Sequence, residues 1–390
     1  MTSLRIGLLW HSVAAGNLGV GALTIGNIAL ARAAAARAGV TPLFTIIGAR
    51  ETGVPYVTGS DIAVRTITGR YMISPAGYRA DVAASDILLD IGAGDSFADI
   101  YPDKRFAYIF MTKAMAILAG KPLVLSPQTI GPFSRQPHTA MAAWACRRAD
   151  VVFARDPLSM AALQALAPDA DARQAIDVAF AMPYDRPAPR APDAPIRVGL
   201  NVSGLLMHGG YAGNNQYGLD FDYPALTRAL ITAFTAMPGV EVHLVPHVMA
   251  PGLPSDDDGA AADRLKAEFP ALVRHPDFAS PVAAKSFIAG LDFLTGARMH
   301  ATIAAYSAGV PVVPISYSRK FEGLYRGLGY PWLVTAKGMD TGAATAFILD
   351  AFARRAELAT DIARGAPVIA AGLESYTGEL AAQFAAAAAR

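Results

Sequence analysis

The sequence predicts an α/β protein made of two successive doubly wound, Rossmann-like lobes, with the active site in the cleft between them. Short apolar runs alternate with helical runs in both halves of the 390-residue chain. These short runs are apolar throughout, as in parallel strands that helices cover on both faces. A proline-rich stretch separates two series of such runs, and the chain length suits two domains.

The first lobe is predicted to span residues 1–185. An Ala-rich helix in this lobe ends at Gly39, a residue type that commonly terminates helices. The predicted strands are residues 5–10, 43–47, 86–92, 122–126 and 151–154, and the predicted helices are 21–39, 104–119, 138–148 and 158–166. Their alternation indicates a parallel sheet with helices on both faces.

A linker is predicted at residues 186–195, because four prolines fall within residues 185–195 and exclude a helix there. The second lobe is predicted to span residues 196–365, and a C-terminal helix is predicted at 366–390. The strands of the second lobe are predicted at 196–203, 240–248, 293–296 and 310–316, and helices at 258–268, 281–290, 299–308 and 320–328, with another beginning near 223. Two Ala-rich helical runs, 341–364 and 367–389, end the chain.

Composition excludes several classes of function. The net charge is +1, with basic and acidic residues interspersed, which argues against a nucleic-acid partner. The single cysteine, Cys146, excludes an intrachain disulfide and a cysteine metal cluster, and we expect it to be buried on a helix. No metal-ligand spacing is found, and the acidic run at 256–258 is interpreted as a solvated helix start.

The apolar runs are interrupted by Arg, Asp, Gly or Pro before they reach membrane-spanning length, and no signal peptide is predicted at the N-terminus. We therefore expect a cytoplasmic protein without a transmembrane segment. Association with a membrane surface and homo-oligomerisation both remain open.

Two glycine-bearing segments follow strands of the first lobe. In HSVAAGNLGVGALTIGN (11–27), Asn17 lies among glycines before a helix, and both a tight turn and a ligand-binding loop fit. In DILLDIGAGDSFADIY (86–101), Asp95 and Asp99 lie at or beyond the end of a strand. Sugar-hydroxyl binding or base catalysis is favoured slightly over helix capping, because two carboxylates beside glycines exceed what a cap requires.

Two further strand ends carry polar residues. In KPLVLSPQTIGPF (121–133), Gln128 either lines the cleft or belongs to a rigid turn. In ADVVFARDPLSMAAL (149–163), Asp156 is predicted to cap the helix that Pro157 opens. The guanidinium of Arg155 suits a phosphate or carboxylate, and an ion pair with Asp156 or another acid is the alternative.

The most informative segment is residues 291–330. Arg298 and His300 open the helix MHATIAAYSAG directly after the strand FLTG, and Lys320 follows the neighbouring strand VPVVPIS. A helix N-terminus favours anions, and a histidine beside a bound anion can donate a proton near neutral pH. Since three donors converge on adjacent strand ends, this interpretation is favoured over a surface arginine and a packed histidine.

These five segments, in this order, resemble the polysaccharide pyruvyl transferase family over nearly the whole chain, from Gly16 to about Gly329. The most specific part is GARMH followed by GVPVVPISYSRKFEG. Two departures are Val20, where family members often carry an acid, and the sequence GAG at 92–94 in place of three glycines.

The resemblance implies a glycosyltransferase-type fold and phosphoenolpyruvate as the donor substrate, with no cofactor. The pyruvyl group would be transferred as a ketal to two hydroxyls of a sugar in a polysaccharide or in its lipid-linked or nucleotide-linked precursor. The matching positions imply that Arg155, Arg298 and His300 bind the donor. Together with the residue patterns, this predicts His300 and Asp95 as catalytic, Lys320 as a further donor ligand, and Asn17, Asp99 and Gln128 on the saccharide-acceptor or cleft side.

Two other functions fit the same fold class. A nucleotide-sugar glycosyltransferase would often bind the donor ribose through a glutamate of the second lobe, but no glutamate lies between Glu268 and Glu322. A non-catalytic carbohydrate-binding protein would have no need to keep both Arg298 and His300. Fold alone does not decide among these three hypotheses.

Overall fold

The computed structural model describes residues 2–390, which divide into two compact units. The first unit contains the chain up to Ala15, residues 23–182 and residues 368–390, and the second contains 16–22 and 183–367. The chain thus passes from the first unit to the second at Pro183, just before the predicted linker. Two short segments lie where the sequence did not place them: 16–22 belongs to the second unit and 368–390 to the first.

The first unit is built on seven parallel strands. They are β1 (Thr2–Leu9), β2 (Val40–Gly48), β3 (Ile62–Thr66), β4 (Ile87–Asp90), β5 (Leu123–Gln128), β6 (Val151–Ala154) and β7 (Ala172–Gln174), in the order β3-β2-β1-β4-β5-β6-β7. The helices are α1 (Leu18–Ala38), α2 (Gly69–Ile73), α3 (Tyr78–Ala84), α4 (Asp103–Leu118), α5 (His138–Arg148) and α6 (Pro157–Leu166), with 3-10 turns at Gly92–Gly94 and Val178–Ala181. This is a doubly wound parallel sheet, as predicted.

The central strands were predictable because their residues are buried on both faces, as in β4 and β6. The sequence missed β3 and β7, which form the two edges of the sheet and are partly exposed, so they lack a continuous apolar run. Cys146 is fully buried on α5, and Gly39, with a φ of 68°, ends α1, which confirms both predictions.

Helix α1 begins at Leu18, three residues before the predicted start. Contrary to our expectation for the apolar runs, it is long and apolar enough to cross a membrane by length and composition. However, 72% of the most apolar 18-residue stretch of this helix is buried inside the protein.

The second unit has a five-stranded parallel sheet. Its strands are β8 (Ile196–Asn201), β9 (Val240–Leu244), β10 (Val273–Arg274), β11 (Phe293–Gly296) and β12 (Val312–Pro314), in the order β10-β9-β8-β11-β12. Its helices are α7 (Gly204–Met207), α8 (Tyr223–Thr235), α9 (Asp258–Glu268), α10 (Pro281–Ile288), α11 (Met299–Ser307), α12 (Arg319–Gly327) and α13 (Thr341–Ala353), with a 3-10 turn at Pro254–Asp256. The final helix, α14 (Arg355–Ala388), begins in this unit and ends in the first. Two doubly wound α/β units confirm the predicted fold class.

Two predicted boundaries in this half were wrong. The strand predicted at 240–248 ends at Leu244, and Val248 instead forms an antiparallel bridge with Asn17. The last two helices divide near Arg354, and α14 runs through Pro367. A proline removes one helical hydrogen bond, but the helix is kept because its later residues Tyr376 and Phe384 are fully buried.

Candidate active site

In the second unit, Arg298 lies at the carboxyl edge of the sheet, where β11 leads into α11. Its backbone N–H donates to Oδ1 of Asn201, at the end of the adjacent strand β8, over 2.9 Å. The Asn201 amide donates in turn to the carbonyl of Val245, over 2.8 Å. The backbone at Arg298 is therefore fixed by the ends of two neighbouring strands.

The Arg298 side chain is held by two carboxylates. Its Nε donates to both oxygens of Asp258, at 3.1 and 3.2 Å, and its Nη2 donates to Asp258 at 2.7 Å and to Asp256 at 2.6 Å. Burial opposes the positive charge, but the two carboxylates outweigh it and raise the pKa of Arg298. Within residues 2–390 no hydrogen bond is made by Nη1, so this nitrogen remains for a ligand.

The acidic run at 256–258 therefore departs from our expectation. Helix α9 does start at Asp258, but this carboxylate is fully buried rather than solvated. It can be buried because, besides Arg298, the backbone amides of Gly204, His247 and Val248 donate to it at 2.9 to 3.2 Å.

His300 lies in the first turn of α11, directly against the glycine loop that opens α1. A Cβ added to Gly19 would lie 2.4 Å from Nδ1 of His300, so only glycine fits there. Asn17 accepts the Gly19 N–H at 3.0 Å. The N-terminal turns of α1 and α11 thus meet at His300, and both favour negative charge. This contact explains the glycine at position 19, and ligand binding by the loop stays a prediction.

His247 lies beyond the end of β9, a position from which the sequence allows it to face the cleft, and it is a further residue of this site. It is 2% exposed, and neither of its ring nitrogens has a hydrogen-bond partner among the described residues. Burial, with smaller contributions from His300 and Arg298, lowers the pKa of His247 to about 3. Its backbone carbonyl accepts the Leu18 N–H at 3.1 Å. A neutral imidazole therefore lies beside the two predicted donor residues.

The start of α12 adds a third helix N-terminus at the same sheet edge, because β11 and β12 are adjacent. Lys320 lies in its first turn. Ser318 occupies the N-cap position, but its side chain makes no capping bond, and its Oγ is buried without a partner among residues 2–390. Tyr317 is close enough to Arg298 to raise the pKa of its guanidinium further. The edge therefore carries a hydroxyl and a lysine beside Arg298 and His300.

In the first unit, Arg155 and Gln128 converge under the loop at 92–94. Arg155 is 2% exposed, its Nη1 donates to Asp177 at 2.7 Å, and its Nε has no partner among the described residues. A Cβ on Gly94 would lie 3.6 Å from that Nη1, and one on Gly92 only 2.2 Å from Oε1 of Gln128. Asp156 caps α6 as predicted, so the ion-pair partner of Arg155 is Asp177.

The two predicted acids of the first unit have different surroundings. Asp95 directly follows the loop at 92–94, half-buried, and does not cap α4, whose N-cap is Pro102. Asp99 accepts the backbone N–H groups of Ser134 and Arg135 at 2.6 and 3.1 Å. Burial acts to raise the pKa of Asp99, but these hydrogen bonds prevail and lower it. The structure thus brings Asp95, Gln128 and Arg155 together at the loop 92–94. Asp99 lies farther along the same connection to α4 and bonds to the loop that carries Ser134 and Arg135.

A buried ion pair beneath this loop was missed from sequence. Lys113 Nζ lies 2.9 Å from Asp90, both side chains are fully buried, and Asp90 also accepts the Gly92 N–H at 2.9 Å. A signal was present, because Lys113 falls on the buried stripe of α4 with Phe106 and Ile109. A lysine in such a stripe requires a buried acid.

The two doubly wound α/β units, each with a parallel sheet, place the protein in the GT-B fold class. A model of the polysaccharide pyruvyl transferase family matches residues 29–319, more than half of the chain. The chain belongs to this family, which confirms the resemblance found in the sequence.

Solved structures of similar fold include sucrose-phosphate synthase from Thermosynechococcus elongatus, with a TM-score of 0.61 and 12% identity over 96% of this chain and 97% of that one. A putative UDP-N-acetylglucosamine 2-epimerase from Listeria monocytogenes gives a TM-score of 0.57 and 13% identity over 93% and 91%. An Anabaena protein solved in complex with UDP-glucose gives 0.54 and 13% over 97% and 98%. At these identities the likeness shows the fold alone. Comparison with curated proteins by sequence finds no match.

Proposed function

We propose that the protein transfers a pyruvyl group from phosphoenolpyruvate to a sugar of a polysaccharide or of its lipid-linked or nucleotide-linked precursor, forming a cyclic ketal. Family membership supports a transferase of polysaccharide biosynthesis. The observation that carries the finer proposal is the contact of His300 with Gly19, where two helix N-termini meet beside Arg298. An anionic donor that must be protonated suits such a position.

The donor carries a phosphate and a carboxylate, and both need hydrogen-bond donors. We propose that the first turn of α11, Nη1 of Arg298, the Ser318 hydroxyl and Lys320 bind these groups. Asp256 and Asp258 fix the Arg298 fork, so that little side-chain entropy is lost when the donor binds. Arg155 of the first unit is proposed as a further donor ligand.

The proposed reaction proceeds in two additions. His300 donates a proton to the methylene carbon of the donor while a sugar hydroxyl oxygen bonds to the adjacent carbon. The C–O bond to phosphate then breaks, phosphate leaves, and a second hydroxyl of the same sugar adds at that carbon. Of the two hydroxyl protons, one replaces the proton that His300 gave and the other leaves with phosphate. We propose Asp95 as the base that accepts a hydroxyl proton, with Gln128 and Asn17 lining the site.

Beside His300, the neutral His247 is proposed to keep the site's positive charge on the residues that bind the donor. A second imidazolium would be buried without a hydrogen-bond partner, which is costly. His300 therefore remains the proton donor of the pair.

The test compares donors by their effect on melting temperature. We expect phosphoenolpyruvate to raise the melting temperature, because a ligand that binds only the folded protein stabilises it. Arg298→Lys should reduce the phosphoenolpyruvate shift, since lysine loses the planar fork, whereas Arg228→Lys, at a surface pair with Glu268, should not. A shift with UDP-glucose alone that Arg298→Lys reduces would instead support a nucleotide-sugar glycosyltransferase with its donor at Arg298.

A further inference from the structure

A cavity separate from the residues around His300 lies in the first unit, at the carboxyl ends of β1, β2 and β3. Its volume is about 570 Å³. Its lining combines apolar and aromatic side chains with three cations: Trp10, Ile67, Tyr108, Arg50, Lys104 and Arg105. The size suits a small-molecule ligand, and the proposed chemistry at His300 does not use this cavity.

The positive charge of this cavity is not neutralised by acids. No Asp or Glu lines it, and the side chains of Arg50 and Lys104 form no ion pair with any described residue. The acid next to Lys104, Asp103, pairs instead with Arg135. Three cations without a carboxylate match a multiply charged anion such as a diphosphate, and a neutral sugar would not require them.

Trp10 is held in an unusual backbone conformation at the cavity. Its φ is 61°, in the left-handed region that bulky residues rarely adopt. Two hydrogen bonds of 2.8 Å maintain it, from its N–H to Ile47 and from its indole Nε1 to Thr112. Strain of this kind is characteristic of ligand sites, and here it places an aromatic side chain in the wall of the cavity.

The cavity is connected to the proposed acceptor residue. Arg105, on its rim, donates to the Ser96 hydroxyl, and Ser96 directly follows Asp95. Arg105 also lies over the Tyr101 ring, 4.3 Å from its centroid. A ligand bound beside Arg105 is therefore close to the loop that carries Asp95.

We propose that this cavity binds the diphosphate of a diphosphate-linked acceptor, so that the sugar is modified while it is still attached to its carrier. This inference rests on the proposed function for the nature of the acceptor. Arg50, Lys104 and Arg105 contact the diphosphate, and Trp10 and Tyr108 pack against the adjoining apolar or ring-shaped part of the ligand.

The experiment measures binding by calorimetry with inorganic pyrophosphate, UDP and farnesyl diphosphate as probes. The Arg50→Gln/Lys104→Gln variant should bind the diphosphate probes at least about tenfold more weakly than the unaltered protein. The control, Arg79→Gln/Arg148→Gln, removes two exposed charges of the same unit that lie outside the cavity. We expect it to bind like the unaltered protein, and neither variant to change the melting temperature.

The probes also distinguish the two sources of a diphosphate. Tighter binding of farnesyl diphosphate than of UDP, lost in Tyr108→Ala, indicates a lipid carrier, and the opposite order indicates a nucleotide. Failure of all three probes to bind, or equal weakening by both double variants, overturns the inference.

Measuring phosphoenolpyruvate binding shows whether a negative result contradicts this inference or the proposed function. If Arg50→Gln/Lys104→Gln weakens phosphoenolpyruvate binding instead of diphosphate binding, the cavity is the donor site and the inference is wrong. If phosphoenolpyruvate does not bind the unaltered protein while diphosphates do, the proposed donor fails and the cavity assignment stands.

Discussion

Arg155 of the first unit and Arg298 of the second occupy equivalent places, each just beyond the carboxyl end of a buried parallel strand. Both are buried, but their partners differ. Arg298 donates four side-chain bonds to two carboxylates, whereas Arg155 donates one, to Asp177. From sequence, the same donor-binding role is predicted for both arginines, because the sequence shows where an arginine lies but not which acids surround it.

The difference has an electrostatic consequence. Around Arg298 two negative charges face one positive charge, so the proposed donor anion would be attracted mainly by the helix N-termini and Lys320. Around Arg155 one positive charge is balanced by the single negative charge of Asp177. Its Nε is buried without a hydrogen-bond partner among the described residues. The second unit therefore holds an arginine fixed by two acids, and the first unit holds one fixed by a single acid.

The strongest test of this comparison removes one acid from each pair. Asp258→Asn should lower the free energy of unfolding by about 3 kcal/mol, because a buried guanidinium loses its main counter-ion. Asp177→Asn should cost less, because it breaks one guanidinium bond rather than three. Urea denaturation measures both losses, and equal losses would show that the two arginines are held alike.

The second test addresses the proton donor. His300→Ala should lower turnover by at least about a hundredfold, because no other group would protonate the donor carbon. The melting temperature should stay near that of the unaltered protein, since His300 is only partly buried. Phosphate release and thermal unfolding are measured together, and near-normal turnover would remove His300 from this role.

The parts of the fold and site that could be predicted from sequence are those set by residues close together in the chain. Arg298 and His300 were found because a strand end and a helix start fix them within a few residues. Asp258 was missed as their partner because it lies 40 residues away and looks like an ordinary helix start. Among the strands, the buried ones were predicted and the partly exposed edge strands β3, β7 and β10 were not.

A third test uses one buried histidine from each unit. Burial lowers the pKa of both His11 and His247 to about 3, so each stays neutral in the folded protein while the unfolded chain takes up a proton below about pH 6.5. Stability is therefore full above that pH and is lost on acidification. Between pH 7 and pH 5 each histidine should lower the unfolding free energy by about 2 kcal/mol.

His247→Gln should reduce that acid sensitivity by about 2 kcal/mol. At pH 7 the same substitution should cost less than His11→Gln. The ring nitrogens of His11 bond to Leu9 and Asn27, whereas those of His247 have no partner among the described residues. Denaturation at both pH values measures this, and an unchanged pH dependence in His247→Gln would contradict it.

The smallest effects are expected at the two acids of the first unit. Asp99→Asn should lower stability by about 1 kcal/mol, because its carboxylate accepts the Ser134 and Arg135 amides. Asp95→Asn should leave stability unchanged and slow transfer about tenfold, because it removes a proposed base. Melting temperature and transfer rate separate the two, and full transfer in Asp95→Asn would leave Gln128 as the next candidate.

The first unit combines segments from both ends of the chain, and this affects how the protein folds during synthesis. Its sheet begins with β1, yet its core closes only with the last part of α14, where the Tyr376 hydroxyl bonds to Asn27 and Ser126, at 2.8 Å each. During translation, Asn27 and Ser126 have no Tyr376 hydroxyl to bond with until nearly the whole chain has been made. The first-made half of the protein is therefore the last to be completed, and a nascent chain must keep its exposed sheet from aggregating until then.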